Sequence, residues 1–260
     1  MQTAMVQGVE VPKIGLGTWN MSGEEARKAV LSAMELGYRH IDTAEMYRNE
    51  HEVGKAIQEA QVEREDLFLV SKVWTNHLRS DQVVDACKAS LDRLQTDYLD
   101  LYLVHWPSDS VPLEETMDGM ARLLESGEAR QVGVSNFSVS QMERASQLLG
   151  SKIFCNQVKY HVDHRQDAVV EYGQEQDILV TAYTPLAKGR AGSRQLLEEI
   201  GQKHGKSGLQ VALRWLIQQD KVVAIPKSSH RDHQKQNLDV LNFELSAEDM
   251  ARIKQLGRGG

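Results

Sequence analysis

Three successive apolar runs in this 260-residue sequence each bring an ionisable side chain to their C-terminal end. The run at 39–43 carries Asp42, with Tyr47 five residues further on. The run at 67–73 carries Lys72, and the run at 99–105 ends in His105, just before Trp106-Pro107. A phenol titrates near pH ~10, so Tyr47 alone is a poor proton donor at neutrality. An ammonium a few ångströms away favours the phenolate, and lowering a pKa by one corresponds to about 1.36 kcal/mol. Lys72 would supply that field, with Asp42 orienting the ammonium and balancing its charge. His105 would hydrogen-bond a carbonyl oxygen and share in proton delivery. Such a set places an acid against an oxygen that becomes negative, which is what carbonyl reduction by hydride requires. Taken singly, each residue has a plainer role: a helix cap for the Asp, a solvated end for the Lys, packing for the His. Their joint placement on consecutive strands is what points to a site.

The elements that must position these residues are eight β-rich runs, at 13–17, 39–43, 67–73, 99–105, 131–135, 154–158, 179–183 and 222–226. Most are continuously apolar, the pattern of strands covered on both faces. Amphipathic helical stretches fill the gaps. Ser22 with Glu25, Ser207 with Gln210 and Ser246 with Asp249 read as helix starts, Ser80 and Ser138 as further N-caps, and Gly37 and Gly257 as stops. Eight strand–helix units suit either a closed parallel barrel or an open doubly wound sheet. The segment Gly15-Leu16-Gly17-Thr18-Trp19-Asn20 lacks the third glycine of a dinucleotide fingerprint and opens no helix, so its glycines read as a tight strand exit. With no linker-like break, the sequence predicts one domain over residues 1–260. The fold class is α/β: a (β/α)8 TIM barrel with an N-terminal β-hairpin at Gln7-Gly8 and a short C-terminal helix. Barrel enzymes gather their chemistry at the C-terminal ends of the strands, where the four residues fall.

The net charge is −7, with the basic residues scattered. That weighs against nucleic acid or an anionic membrane as partner, and an anionic ligand would need a local basic pocket. Cys87 and Cys155 form no CxxC pair. Cys87 shares a helical stripe with Val83, Leu91 and Leu94, which predicts burial and a reducing compartment. No signal-peptide pattern and no apolar run near ~18 residues is present, so a cytoplasmic monomer is expected. His161 and His164 have His-x-x-His spacing, but they read as loop residues rather than metal ligands, and no metal is expected.

Several ordered motifs resemble the aldo-keto reductase superfamily. They are Gly37-Tyr38-Arg39-His40-Ile41-Asp42-Thr43-Ala44-Glu45-Met46-Tyr47, Ser71-Lys72-Val73-Trp74, Leu103-Val104-His105-Trp106-Pro107, Gly133-Val134-Ser135-Asn136-Phe137, Asn156-Gln157, Tyr183-Thr184-Pro185-Leu186 and Ile225-Pro226-Lys227-Ser228. The pattern is most similar to bacterial reductases of diketogluconate and methylglyoxal. The resemblance implies catalysis by Asp42, Tyr47, Lys72 and His105, with NADPH extended across the barrel mouth and a small aldehyde or ketone as substrate. Ser135, Asn136 and Gln157 would hold the carboxamide and Tyr183 would stack on the nicotinamide. Thr184 and Leu186 would line the pyrophosphate path, Lys227 and Ser228 would meet the 2′-phosphate, and Asn237 would lie near the adenine. Gly17, Thr18, Trp19, Asp42, Pro185, Lys188, Ile225 and Ser229 complete the implied cofactor contacts. Trp19, Trp74 and Trp106 would wall an apolar substrate pocket around Tyr47 and His105.

Two departures stand out. His233 occupies the position where the family usually has an arginine for the 2′-phosphate, giving up a fixed charge and a bidentate grip, which leaves NADH open unless Arg231 or Lys235 compensates. The chain also stops at Arg258-Gly259-Gly260, where many relatives continue over the substrate pocket, and the loop after Trp106-Pro107 is short, so an open mouth is expected. Arg190, Gly192 and Ser193 read as a polar loop able to fold over the cofactor. Two other classes remain: a cofactor-binding regulatory subunit with little turnover, and an unrelated metal-dependent barrel enzyme, for which the strand ends lack clustered ligands.

Overall fold

The computed structural model describes residues 2–187 and 194–256. Lys188, the polar loop with Arg190, Gly192 and Ser193, and the helix stop at Gly257 lie outside the described residues. Gln7 and Gly8 both take positive φ, 48° and 79°. This is the conformation a two-residue hairpin turn demands, and it folds β1 (Thr3–Val6) antiparallel onto β2 (Val9–Pro12). A non-glycine at the first turn position is costly. Here it is held from outside: Gln7 donates its N–H to Asp177 Oδ2 at 3.0 Å and its amide to Ile153 O at 3.1 Å. The hairpin puts Ala4, Val6 and Val11 against Phe68, Leu101, Phe154, Leu179 and Val223, in one apolar cluster.

The eight remaining strands are parallel and pair in chain order. They are β3 (Leu16–Gly17), β4 (His40–Asp42), β5 (Phe68–Val73), β6 (Leu101–Val104), β7 (Val132–Ser135), β8 (Cys155–Lys159), β9 (Leu179–Tyr183) and β10 (Val222–Ala224). Ile14 bridges Ala224 in parallel and Gly15 donates to Ala224 O at 2.9 Å, so the first strand meets the last and the sheet closes into a (β/α)8 barrel. The two glycines of the first run serve that closure. A Cβ on Gly15 would lie 2.7 Å from the His40 ring, and one on Gly17 would lie 2.8 Å from Ile225 O. Neither glycine has positive φ. They permit close approach of neighbouring groups at the tight exit of β3.

Most strand cores fall within the expected runs, with shifted ends. β8 starts and stops one residue later than expected, because its last residue, Lys159, pairs with Tyr183 of β9. β10 stops at Ala224, short of Pro226, which has no N–H to donate.

The helices are α1 (Gly23–Glu35), α2 (Glu50–Glu59), α3 (Ser80–Leu94), α4 (Leu113–Ser126), α5 (Val139–Leu149), α6 (Asp167–Gln176), α7 (Arg194–His204), α8 (Gly208–Ile217), α9 (Arg231–Leu238) and α10 (Ala247–Gln255). Their apolar stripes, such as Val83, Cys87, Leu91 and Leu94 on α3, pack against the outer faces of the strands. Burying each such side chain contributes roughly 1.5–3 kcal/mol. Ser138 and Ser207 form reciprocal capping boxes with Gln141 and Gln210, and Ser246 accepts from the Asp249 N–H at 3.0 Å.

Two expected caps differ. Ser22 precedes α1 but makes no side-chain cap, since Gly23 enters the helix at φ 51°. Ser80 lies inside α3, with Arg79 at the cap and the Gln82 amide oxygen accepting from its N–H at 3.3 Å. His161 and His164 exchange backbone hydrogen bonds across a tight turn. Among the described residues, no helix is long and apolar enough to cross a membrane.

Candidate active site

Asp42 ends β4, and both its carboxylate oxygens are used. Lys72 Nζ, from β5, lies 2.6 Å from Oδ1, and the Gln157 amide, from β8, donates to Oδ2 at 2.7 Å. The same ammonium donates to Thr43 O at 2.7 Å. Lys72 and Asp42 are fully buried. Removing either partner would leave an uncompensated buried charge. Burial alone would pull the Lys72 pKa down, but Asp42 and the Tyr47 phenol more than offset it, and the net direction is up. The Asp42 carboxylate thus holds the lysine as an ammonium.

Tyr47 closes a 3-10 turn, Glu45–Tyr47, beyond β4. Lys72 Nζ is 5.1 Å from the centre of its ring, and the His105 ring meets it edge-on at 5.7 Å. The sequence argument expected Lys72 to depress the Tyr47 pKa. In the structure the pKa rises: burial raises it most, Lys72 lowers it, and Asp42 raises it again. The carboxylate that steadies the lysine also opposes its field at the phenol. Burial, helped by the Lys72 charge, pushes His105 down to about 3, so its imidazole is neutral. It stands edge-on between Tyr47 and Trp74, whose ring lies 5.0 Å away.

Across the mouth, β7, β8 and β9 end in a hydrogen-bonded polar group. Ser135 Oγ donates to Gln157 O at 2.8 Å. The Asn136 amide donates to His105 O at 3.1 Å and to Ser135 Oγ at 3.0 Å, while its oxygen accepts from the Tyr183 hydroxyl at 2.9 Å. Asn136 and Thr184 sit at φ 64° and 51°. For a β-branched threonine that conformation costs about 1–3 kcal/mol, a strain that tends to collect at functional sites.

A cavity of about 740 Å³ opens over these residues, within the size range of small-molecule sites. Tyr47, His105, Trp19 and Trp106 line one end. Asp42, Ser135, Asn136 and Gln157 line its floor, and Gly17, Tyr183–Leu186 and Ile225 lead on to Lys227. Several expected contacts lie elsewhere. Thr18 is buried beneath the lining, its hydroxyl donating to Asp42 O at 3.1 Å. Trp74 stands behind His105 rather than in the wall. Ser228, Ser229, His233 and Asn237 lie past the cavity, on the exit from β10 and on α9. Arg231, on α9, pairs with Glu35 of α1 at 2.7 Å, both side chains being exposed.

The sequence reading missed Asn20, Met46, Lys159 and Pro226, which also line the cavity. The signal for Lys159 was present: Cys155, Gln157 and Lys159 alternate, so all three share the inward face of β8. Among the described residues no group of three metal-ligating side chains occurs. The site therefore presents a protonated phenol, a neutral imidazole and a buried ion pair, beside a long cavity leading to a lysine.

This barrel, with its chemistry at the strand ends, matches the model of the Aldo/keto reductase family over residues 13–258, and the chain belongs to that family. It is an oxidoreductase. Glyoxal reductase of Bacillus subtilis is 41% identical over 96% of this chain and 91% of its own length. Methylglyoxal reductase DkgB of Escherichia coli O157:H7 is 37% identical over 95% of this chain and 93% of its own. The solved aldo-keto reductase of Bombyx mori in complex with NADP superposes with a TM-score of 0.91 at 35% identity, covering 98% of this chain and 92% of its own.

Proposed function

We propose that this enzyme reduces small aldehydes and ketones with NADPH, Tyr47 acting as the proton donor. The observation that carries the reading is the Lys72–Asp42 pair beneath Tyr47, with the His105 ring against the phenol. The lining of the cavity supports a dinucleotide as its ligand. The strand-end amides of Asn136 and Gln157 offer partners to a carboxamide, the half-buried Tyr183 ring offers a stacking surface, and Lys227 carries charge at the far end. When bound, the nicotinamide supplies a hydride to the carbonyl carbon.

The chain's own residues then do the following. His105, neutral and donating, orients the carbonyl oxygen and favours negative charge on it. Tyr47 gives its proton to that oxygen as the carbon–oxygen double bond becomes single, so the product is an alcohol. Lys72 stabilises the phenolate as it forms, while Asp42 and Gln157 keep the ammonium from swinging into the cavity. Trp19 and Trp106 cover the apolar side of the substrate.

The glyoxal and methylglyoxal reductases among the relatives support small carbonyl compounds as substrates. The test is steady-state oxidation of NADPH, and separately of NADH, with glyoxal, methylglyoxal and glyceraldehyde. Turnover with NADPH is expected, and its loss in Tyr47→Phe with dinucleotide affinity kept. A Tyr47→Phe variant that still turns over would remove the phenol from the mechanism.

A further inference from the structure

In a chain of net charge −7, the cavity is lined, among the described residues, by two lysines, Lys159 and Lys227, and by one carboxylate, Asp42. Asp42 is already spent on Lys72 and Gln157. Lys227 has Glu25 4.0 Å away. Lys159 differs from both. Its backbone is fixed by pairing with Tyr183 and by the Gln166 amide donating to its carbonyl at 3.2 Å. Its ammonium takes part in no ion pair or side-chain hydrogen bond among the described residues. The inward alternation of β8 sets it one pleat above Gln157, level with Tyr183.

Its charge is felt locally. After the larger effect of burial, it helps to hold the His161 and His164 imidazoles below their ordinary value, although Asp163 acts oppositely on His161. An unpaired cation on the wall of a ligand cavity favours an anionic group arriving with the ligand.

We propose that Lys159 is an oxyanion-binding residue of this cavity, pairing with a phosphate or carboxylate oxygen of a bound ligand. The inference rests on the reading of the cavity as a dinucleotide and carbonyl site. That ligand chemistry has two sources: the diphosphate bridge of the dinucleotide, or an acidic substituent on the substrate.

Fluorescence titration of Lys159→Gln with NADPH and with NADH, alongside kinetics with neutral methylglyoxal and anionic glyoxylate, separates them. If the diphosphate is the partner, both dinucleotides weaken by a similar factor of about ten, the worth of one charge-assisted hydrogen bond. If the substrate is the partner, both dinucleotide affinities hold and KM rises for glyoxylate alone. In either case Lys159→Arg restores the wild-type value, which loss of fold would not permit. Unchanged binding of both dinucleotides together with unchanged KM for both aldehydes would overturn the proposal. A wild-type protein that binds neither dinucleotide would instead overturn the reading of the cavity, and Lys159 with it.

Discussion

At the scale of single residues, the site is defined by which groups keep their protons. Tyr47 lies above the ordinary phenol value and His105 lies at about 3. A proton donor is lost as pH rises through its pKa, so reductive kcat/KM should stay flat through neutrality and fall only on the alkaline side, above pH ~10. An alkaline limb near neutrality in the pH–rate profile would contradict this. For stability the sign is set by His105. Its folded pKa is depressed below the unfolded value of about 6.5, so the unfolded chain binds the extra proton between the two values. The stability from its neutral burial is complete above pH ~6.5 and declines as pH falls toward 3, at up to about 1.36 kcal/mol per pH unit. Chemical denaturation at pH ~7 and pH ~4.5 measures it. In His105→Asn, with the imidazole gone, the drop between the two should be smaller than in the wild type. At the far end of the site, His233→Arg should tighten NADPH more than NADH, measured as the two dissociation constants, because only NADPH carries the 2′-phosphate that a fixed guanidinium could grip.

At the scale of elements, the loops after β4 and β5 are tied together by one side chain. Glu45, in the same 3-10 turn as Tyr47, accepts from the Trp74 N–H at 2.9 Å and has His77 Nδ1 2.6 Å from its other oxygen. Trp74 in turn backs the His105 ring. Glu45→Ala should therefore lower kcat about ten- to a hundredfold through misplacement of Tyr47, with dinucleotide affinity unchanged. Glu45→Gln, which keeps an acceptor for Trp74, should recover most of the loss, and equal damage in the two variants would show that the tie does not position the phenol. Such ties mark where sequence reading stops. Asp42, Lys72 and His105 were legible because continuous apolar strands deliver their last residues to one end of a barrel. Trp74 was expected in the pocket wall because the family resemblance implies it. Trp74 lies one residue past the end of β5, where strand alternation no longer governs it, and its ring stands edge-on behind His105. The Tyr47 pKa was misjudged because a pairwise argument from Lys72 omits the burial and the Asp42 charge that act on the same phenol. Lys159 went unnoticed, although alternation with Gln157 marked it, because the expected strand stopped at Val158 while pairing with Tyr183 carries β8 one residue further.

At the scale of the whole molecule, an acidic protein must draw in a highly anionic dinucleotide against its own net charge of −7. The geometry answers this locally. The charged floor of the cavity is neutralised internally by Lys72 and Asp42, both fully buried, so the ligand meets the remaining lysines of the wall. Exposed cations such as Lys227 act through solvent and are screened beyond about 8–10 Å at physiological salt, whereas the buried pair is screened far less. Salt should therefore separate binding from catalysis. Raising ionic strength from about 0.05 to about 0.5 M should weaken NADPH binding severalfold while leaving kcat at saturating cofactor nearly constant. In Lys227→Gln the salt dependence of the NADPH dissociation constant should shrink toward that of NADH, because the contact that distinguishes the two would be gone. A kcat that falls in parallel with affinity would mean that the Lys72–Asp42 pair is open to solvent ions, which the burial of both side chains opposes.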